Sequence, residues 1–320
     1  MQHRLIRSTL GTIVSTFRGS VNIPQLRNLM DMGSIAFFLP WGVEAEKFRL
    51  GHLSCQWIIP RNANHDKVIL YLHGGGYAVG STQTHRALVG EIAKQAGYCA
   101  LIPEYRLAPE NPYPAAIEDA LWCYQWLLET GHAPENIIFA GDSAGGGLAM
   151  ATLLGAQERD LPMPAAAVLI APWVDLTISQ ESILKNIDRS PMLYLREMKA
   201  WAQNYAGDMP LDFPLISPMY ADLAGLPPLL IQVSDAEVLI DEDTILAERA
   251  KAAGVEVDFQ VFHGLMHVWH IYWRYVAEAR EAISKITDFI NVHSPSKVDV
   301  EIDADEEPLV EPVEISSQSA

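Results

Sequence analysis

One pentapeptide constrains this chain more than any other stretch: Gly141-Asp142-Ser143-Ala144-Gly145, a Gly-x-Ser-x-Gly with Ser143 at its centre. An apolar run, Ile137-Ile138-Phe139-Ala140, leads in, and a small-residue run from Ala144 to Gly155 leads out. That order predicts a strand, a sharp turn and a helix. A nucleophile elbow needs this arrangement, because the strained turn lifts the serine hydroxyl clear of the sheet edge. The flanking residues must be small, since a β-carbon there would strike the neighbouring strand or helix. A glycine-rich turn without chemistry would carry the same letters, so the reading rests on what accompanies it.

The accompanying pattern is an alternation. Strands are expected over about 46–50, 56–59, 68–72, 98–102, 137–140, 167–171, 229–233 and 257–261. Helices are expected over about 84–96, 115–129 and 268–291, with two helical pieces ahead of residue 45 divided at Asn22-Ile23-Pro24. Such alternation implies an open, mostly parallel sheet with helices on both faces. The strands from Val68 onward are near-continuous apolar runs, as strands covered on both sides are. Ligands of such sheets bind outside the carboxyl ends of the strands. Ser143, the glycines after His73, Glu237 and His267 all follow predicted strands, which brings them to one edge. Residues 178–220 break the alternation with a helical insertion.

Composition excludes several classes. A net charge of −18 argues against nucleic acid or an anionic membrane as partner. Much of that charge lies in residues 294–320, which read as a disordered acidic tail. The three cysteines, Cys55, Cys99 and Cys123, form no C-x-x-C pair and sit in apolar runs, so free thiols, no metal site and a reducing, cytoplasmic location are expected. No apolar run approaches the ~20 residues of a membrane span. Residues 1–20 read as an amphipathic helix rather than a signal peptide, because Gly11, Ser15 and Thr16 break the apolar patch.

A serine hydroxyl needs a base beside it and a carboxylate behind the base. His267, on the loop before the expected last helix, is the best placed of the ten histidines. His263 reads as a turn residue and His270 as part of the helix. The acid belongs on the loop after strand 229–233, where Asp235, Glu237 and Asp241 compete; the acids of 241–243 also suit the first turn of a helix. Backbone N–H groups of Gly74, Gly75 and Ala144 are the expected oxyanion donors. A phosphate cradle would want Lys-Ser/Thr after the glycines, and Tyr77-Ala78 follows instead.

His73-Gly74-Gly75-Gly76-Tyr77, Tyr105-Arg106-Leu107-Ala108-Pro109-Glu110, Gly141-Asp142-Ser143-Ala144-Gly145-Gly146 and Gly264-Leu265-Met266-His267 together resemble the hormone-sensitive-lipase family of α/β-hydrolases, the bacterial family IV esterases. The resemblance runs from about Val68 to about Asn291. It implies an α/β-hydrolase fold with a helical cap. Residues 1–45 would be N-terminal cap helices, 46–177 and 221–293 the catalytic domain, and 178–220 the cap insertion. It also puts Glu237 of Glu237-Val238-Leu239-Ile240-Asp241 where the family usually has the aspartate of Asp-Pro-Leu-x-Asp, with Asp235 as runner-up. The implied activity is hydrolysis of short- to medium-chain acyl esters by Ser143, His267 and Glu237 through an acyl-enzyme, without metal or organic cofactor. Phe37, Phe38, Tyr77, Trp173, Met192 and Tyr194 would line the substrate pocket. A homodimer through the last strand is implied as well. A lactone hydrolase with the same triad is the alternative, followed by a non-catalytic small-ligand-binding protein, which the presence of His267 disfavours.

Overall fold

Eight strands form one sheet in the order β1-β2-β4-β3-β5-β6-β7-β8. They are β1 (Val43–Leu50), β2 (Leu53–Pro60), β3 (Asn64–Leu72), β4 (Tyr98–Pro103), β5 (Ile137–Asp142), β6 (Ala166–Ile170), β7 (Leu229–Ser234) and β8 (Val257–Phe262). The first two pair antiparallel, β2 meets β4 antiparallel, and every pairing from β4 to β8 is parallel. This computed structural model describes residues 22–187 and 195–294. The helix expected over 1–20, the tail beyond Ser294, and Met192 and Tyr194 lie outside the described residues.

Alternation along the strands divides the core into two layers. Val68, Leu70 and Leu72 of β3 and Ile137 and Phe139 of β5 point to one face. Helices α3 (Ala115–Glu129), α4 (Ala144–Glu158) and α7 (Ile240–Ala252) cover that face. Ile69, Tyr71, Ile138 and Ala140 point to the other, under α2 (Thr82–Ala96) and α8 (Ala277–His293). Burial on both faces is why these strands carry no polar alternation; each fully buried Val, Leu or Ile contributes ~1.5–3 kcal/mol. Helix α1 (Ile23–Ser34) starts at an Asn22–Gln25 capping box, as the Asn-Ile-Pro break suggests. It docks on the body through Arg27, which donates to the Ala78 and Ala108 carbonyls and forks onto Glu110. The insertion contributes α5 (Glu181–Asn186) and α6 (Leu195–Ala206).

Some boundaries depart from the sequence reading. β1 begins at Val43, so a division between arm and body at residue 45 falls inside a strand paired with β2. The single last helix expected from 268 is two elements. A 3₁₀ turn spans Trp269–Tyr272, and α8 starts only at Ala277. The backbone leaves the helical region at Val268, with φ 49°. Trp269 and His270 are drawn under the sheet edge, where His270 Nε2 donates to Gln232 Oε1 at 2.8 Å. Apolar spacing over 268–272 mimics a helix, but those residues pack on β7 and β8.

Candidate active site

Ser143 occupies the turn between β5 and α4 with φ 52° and ψ −125°, a region a side-chain-bearing residue enters only under constraint. The constraint is visible. Ser143 N donates to Ile170 O at 2.8 Å, and Trp173 N and Gly147 N donate to Ser143 O at 2.8 and 3.1 Å. The small neighbours are required by contact: a β-carbon on Gly141 would sit 2.3 Å from Gly145 O, and one on Gly145 would sit 2.0 Å from Leu72 O. The elbow therefore lies directly against the end of β3, where the His73-Gly74-Gly75-Gly76 loop begins.

His267 reaches the serine from the loop after β8. Ser143 Oγ–H donates to His267 Nε2 at 2.8 Å, and His267 Nδ1–H donates to Glu237 Oε1 at 2.8 Å. All three side chains are buried. Burial pulls the His267 imidazole down, and the charge and hydrogen bond of Glu237 more than reverse it, leaving the group above its ordinary value. The loop bearing the histidine is tied to the loop bearing the acid. Leu265 N donates to Ser234 Oγ at 2.9 Å, and Gly264 N donates to Asp235 Oδ1 at 2.7 Å. Asp235, the sequence runner-up, thus serves this tie and pairs with His263 at 2.8 Å on the surface rather than with His267.

The insertion grips the acid loop from above. Asn186 Nδ2 donates to Glu237 O at 2.8 Å, Ser182 Oγ donates to Val238 O at 2.7 Å, and Ser182 N donates to Asp241 Oδ2 at 2.7 Å. The remaining acids of the α7 first turn differ from the sequence expectation. Glu242 and Asp243 are not solvated helix-end charges but are wholly buried. Glu242 Oε1 accepts Val174 N and Asp175 N, and both Asp243 oxygens lack a partner among the described residues. Burial first, then neighbouring carboxylates, push both acids well above the usual range.

The three N–H groups expected to receive an oxyanion, those of Gly74, Gly75 and Ala144, are not equivalent. Gly74 N–H is already used: it donates to Asp142 Oδ1 at 3.1 Å, and a β-carbon on Gly74 would lie 2.2 Å from Asp142 Oδ2. Gly75, at φ 124°, and Gly76, at φ 61°, carry N–H groups with no acceptor within the described chain, as does Ala144 at the α4 N-terminus. The free set is Gly75, Gly76 and Ala144. Three consecutive glycines look alike in sequence; only the carboxylate of Asp142 tells them apart. That residue was itself missed, although an acid at the end of a wholly apolar strand was a signal to follow.

The expected pocket residues separate. Tyr77 is buried and stacks on Tyr205 of α6, with ring centroids 3.7 Å apart and 6° between planes. Trp173 lies 6.4 Å from Tyr77, and its Nε1 donates to Asp175 O. Trp201, also on α6, covers Gly76 so closely that a β-carbon there would stand 2.3 Å from its Cε3. Phe37 instead packs edge-on against Tyr272 at 6.0 Å. Phe38 is 67% exposed, with its carbonyl held by Arg274, and takes no part in a buried pocket. Among the described residues no group of His, Cys, Asp and Glu is arranged to hold a metal, and no helix is long and apolar enough to cross a membrane.

A family model described as the α/β-hydrolase fold matches residues 69–271. An acetyl-hydrolase of Streptomyces hygroscopicus is 42% identical over 241 residues, covering 75% of this chain and 80% of the relative. An esterase of Acinetobacter venetianus is 36% identical over 233 residues, covering 72% and 77%. Among solved structures, an esterase from the bacterial hormone-sensitive lipase family superposes with a TM-score of 0.88 at 37% identity, over 91% of this chain and 98% of that one. A hormone-sensitive lipase from a metagenome library does so with a TM-score of 0.88 at 39% identity, over 92% and 98%. With this elbow, this sheet order and these relatives, the chain belongs to the α/β-hydrolase family, within its bacterial hormone-sensitive-lipase branch.

Proposed function

We propose that this protein is a carboxylesterase that hydrolyses short- to medium-chain acyl esters through an acyl-enzyme on Ser143. The observation that carries the reading is the unbroken relay from Ser143 Oγ through His267 to Glu237, both links 2.8 Å. Its companion is the set of uncommitted N–H groups at Gly75, Gly76 and Ala144. Attack by Ser143 on the ester carbonyl sends its proton to His267 Nε2, and Glu237 offsets the imidazolium charge that forms. The three N–H groups take the developing oxyanion beside the buried Ser143 and His267, where such donors are worth more than in solution. His267 then protonates the departing alcohol. Water, relieved of a proton by the same imidazole, releases the carboxylic acid and regenerates the serine.

The short-acyl preference is supported by the aromatic stack of Tyr77 and Tyr205 and by Trp201, which lies against Gly76 of the glycine loop. The names of two relatives agree with it, the acetyl-hydrolase above and an ethyl acetate hydrolase of Pseudomonas putida, 32% identical over 234 residues. Helices α1, α5 and α6 act in this reading as a cap over the serine. Hydrolysis of p-nitrophenyl esters from acetyl to dodecanoyl tests it. Activity should peak at short acyl chains, and Trp201→Ala should shift the peak to longer ones. A native profile peaking at dodecanoyl would overturn the chain-length reading.

A further inference from the structure

His85, on α2, takes no part in the relay, yet it is buried at the back of the glycine loop. Its Nε2 lies 3.3 Å from Asp142 Oδ2. Its Nδ1 lies 2.7 Å from Thr84 Oγ1 and 3.3 Å from Ser81 O. When the Thr84 hydroxyl donates to Ser81 O, at 2.8 Å, its Oγ1 accepts from the ring. In that arrangement both imidazole nitrogens face acceptors, Ser81 O and Thr84 Oγ1 at Nδ1 and Asp142 Oδ2 at Nε2, and the doubly protonated ring satisfies both sides. Its neighbour His73, with ring centroid 5.5 Å away, has the opposite surroundings. His73 Nδ1–H donates to Gly74 O at 2.9 Å, Nε2 has no partner among the described residues, and burial brings its pKa down to about 4.

Asp142 passes this arrangement to the catalytic loop. One oxygen accepts Tyr71 O–H at 2.8 Å and Gly74 N–H at 3.1 Å, and the other faces His85. Resting on the reading of Gly75 and Gly76 as oxyanion donors, we propose that His85 stands as an imidazolium whose pairing with Asp142 fixes the Gly74 peptide and so aims the two N–H groups that follow it. His85 is a positioning residue: it touches no substrate atom. The groups facing it from other elements are Tyr71 of β3, His73 just after that strand, Glu104 after β4, Asp142 of β5, and Asp31 of α1 through Ser81. Burial pulls the imidazole down, while Asp142 and then Ser81 O and Glu104 raise it, and the balance lies above the ordinary histidine value. Loss of that proton on the alkaline side leaves Asp142 buried without its counter-charge and loosens the glycine loop.

The experiment has two arms. In ¹³C-His-labelled Ser143→Ala protein, the His85 ring should titrate above the ordinary ~6.5 of histidine. In steady-state hydrolysis of phenyl acetate across pH 6 to 10, native kcat should fall on an alkaline limb set by His85. His85→Gln should lower kcat about ten- to a hundredfold, less than the roughly 10²–10³ of losing a donor outright. Its KM should stay within about twofold, and its alkaline limb should vanish because an amide does not titrate. A His85 ring that titrates at or below the ordinary value overturns the proposal, whether or not His85→Gln folds. A folded His85→Gln with native kcat and the native alkaline limb overturns it too. Absence of ester hydrolysis by the native chain would instead defeat the esterase reading, while the ring titration still decides the state of His85.

Discussion

At the residue scale, the relay is asymmetric in what its members need. Ser143 needs only its backbone turn, which β6 and the Trp173 amide enforce. His267 needs a carboxylate to hold its tautomer, and a glutamate supplies it here across one more methylene than aspartate would. Glu237→Gln keeps the shape and presents an amide, whose NH₂ end would favour the wrong imidazole tautomer. Its kcat should fall about 10³- to 10⁴-fold, read on p-nitrophenyl acetate with a matched circular dichroism spectrum. A second consequence concerns pH. His267 acts as a base only when neutral, and Glu237 raises it above its ordinary value. Native kcat/KM should therefore climb through an apparent pKa above ~6.5 on the acid side. In Glu237→Gln the residual activity should climb at lower pH, because the cause of the shift is gone.

At the element scale, the first turn of α7 shows what sequence could and could not reveal. Three acids at a helix start read naturally as charges complementing the helix dipole. Asp241 does meet a partner there, the Ser182 N–H, but Glu242 and Asp243 are wholly buried, and burial depends on the insertion and the 173–175 segment folding over them. The two buried acids are held above the usual carboxylate range. Between the unfolded and folded pKa, the unfolded chain has released a proton that the folded chain keeps. Stability therefore falls as pH rises across that window, by ~1.4 kcal/mol per pH unit for each group. Asp243→Asn should accordingly melt higher than the native protein at pH 8 and show a smaller gain at pH 5, measured by thermal unfolding at both pH values. The last helix teaches the same lesson. Its apolar spacing was legible from 268, and its true start at Ala277 was not, because Trp269 and His270 obey β7 and β8 rather than a helical period. By contrast β3 and β5 were legible, because strands buried on both faces announce themselves as unbroken apolar runs. The glycine loop was legible as a loop, but which of its N–H groups stay free was not, since Gly74 N–H is taken by the carboxylate of Asp142, 68 residues further along the chain.

At the scale of the whole molecule, chemistry and anchorage occupy opposite ends of the sheet. The serine, the acid loop, the histidine loop and the glycine loop all follow the carboxyl ends of strands. At the other end, Lys67 near the start of β3 is buried and has no carboxylate partner among the described residues. Its Nζ donates to Tyr98 O–H at 3.0 Å and to the Ser294 carbonyl, while Tyr98 O–H donates to the same carbonyl at 2.6 Å. Ser294 Oγ in turn donates to Glu135 O at 2.8 Å. This clasp fastens the end of α8 to β3, β4 and the turn before β5. Lys67→Met keeps the apolar stem and removes the donor from a buried carbonyl, so it should cost about 1–3 kcal/mol of unfolding free energy. Its kcat should remain native, measured by urea unfolding beside an ester assay; a matching fall in kcat would show that the two ends of the sheet are coupled.

Hydrolysis by the proposed route depends above all on Ser143. Steady-state hydrolysis of p-nitrophenyl acetate by the native chain and by Ser143→Ala, at matched fold, is the most direct measurement. The native chain should turn over readily and the variant should lose about 10⁴-fold or more, the scale of removing a triad nucleophile. A variant that keeps a tenth of the native rate would place the chemistry elsewhere in the molecule and contradict that route.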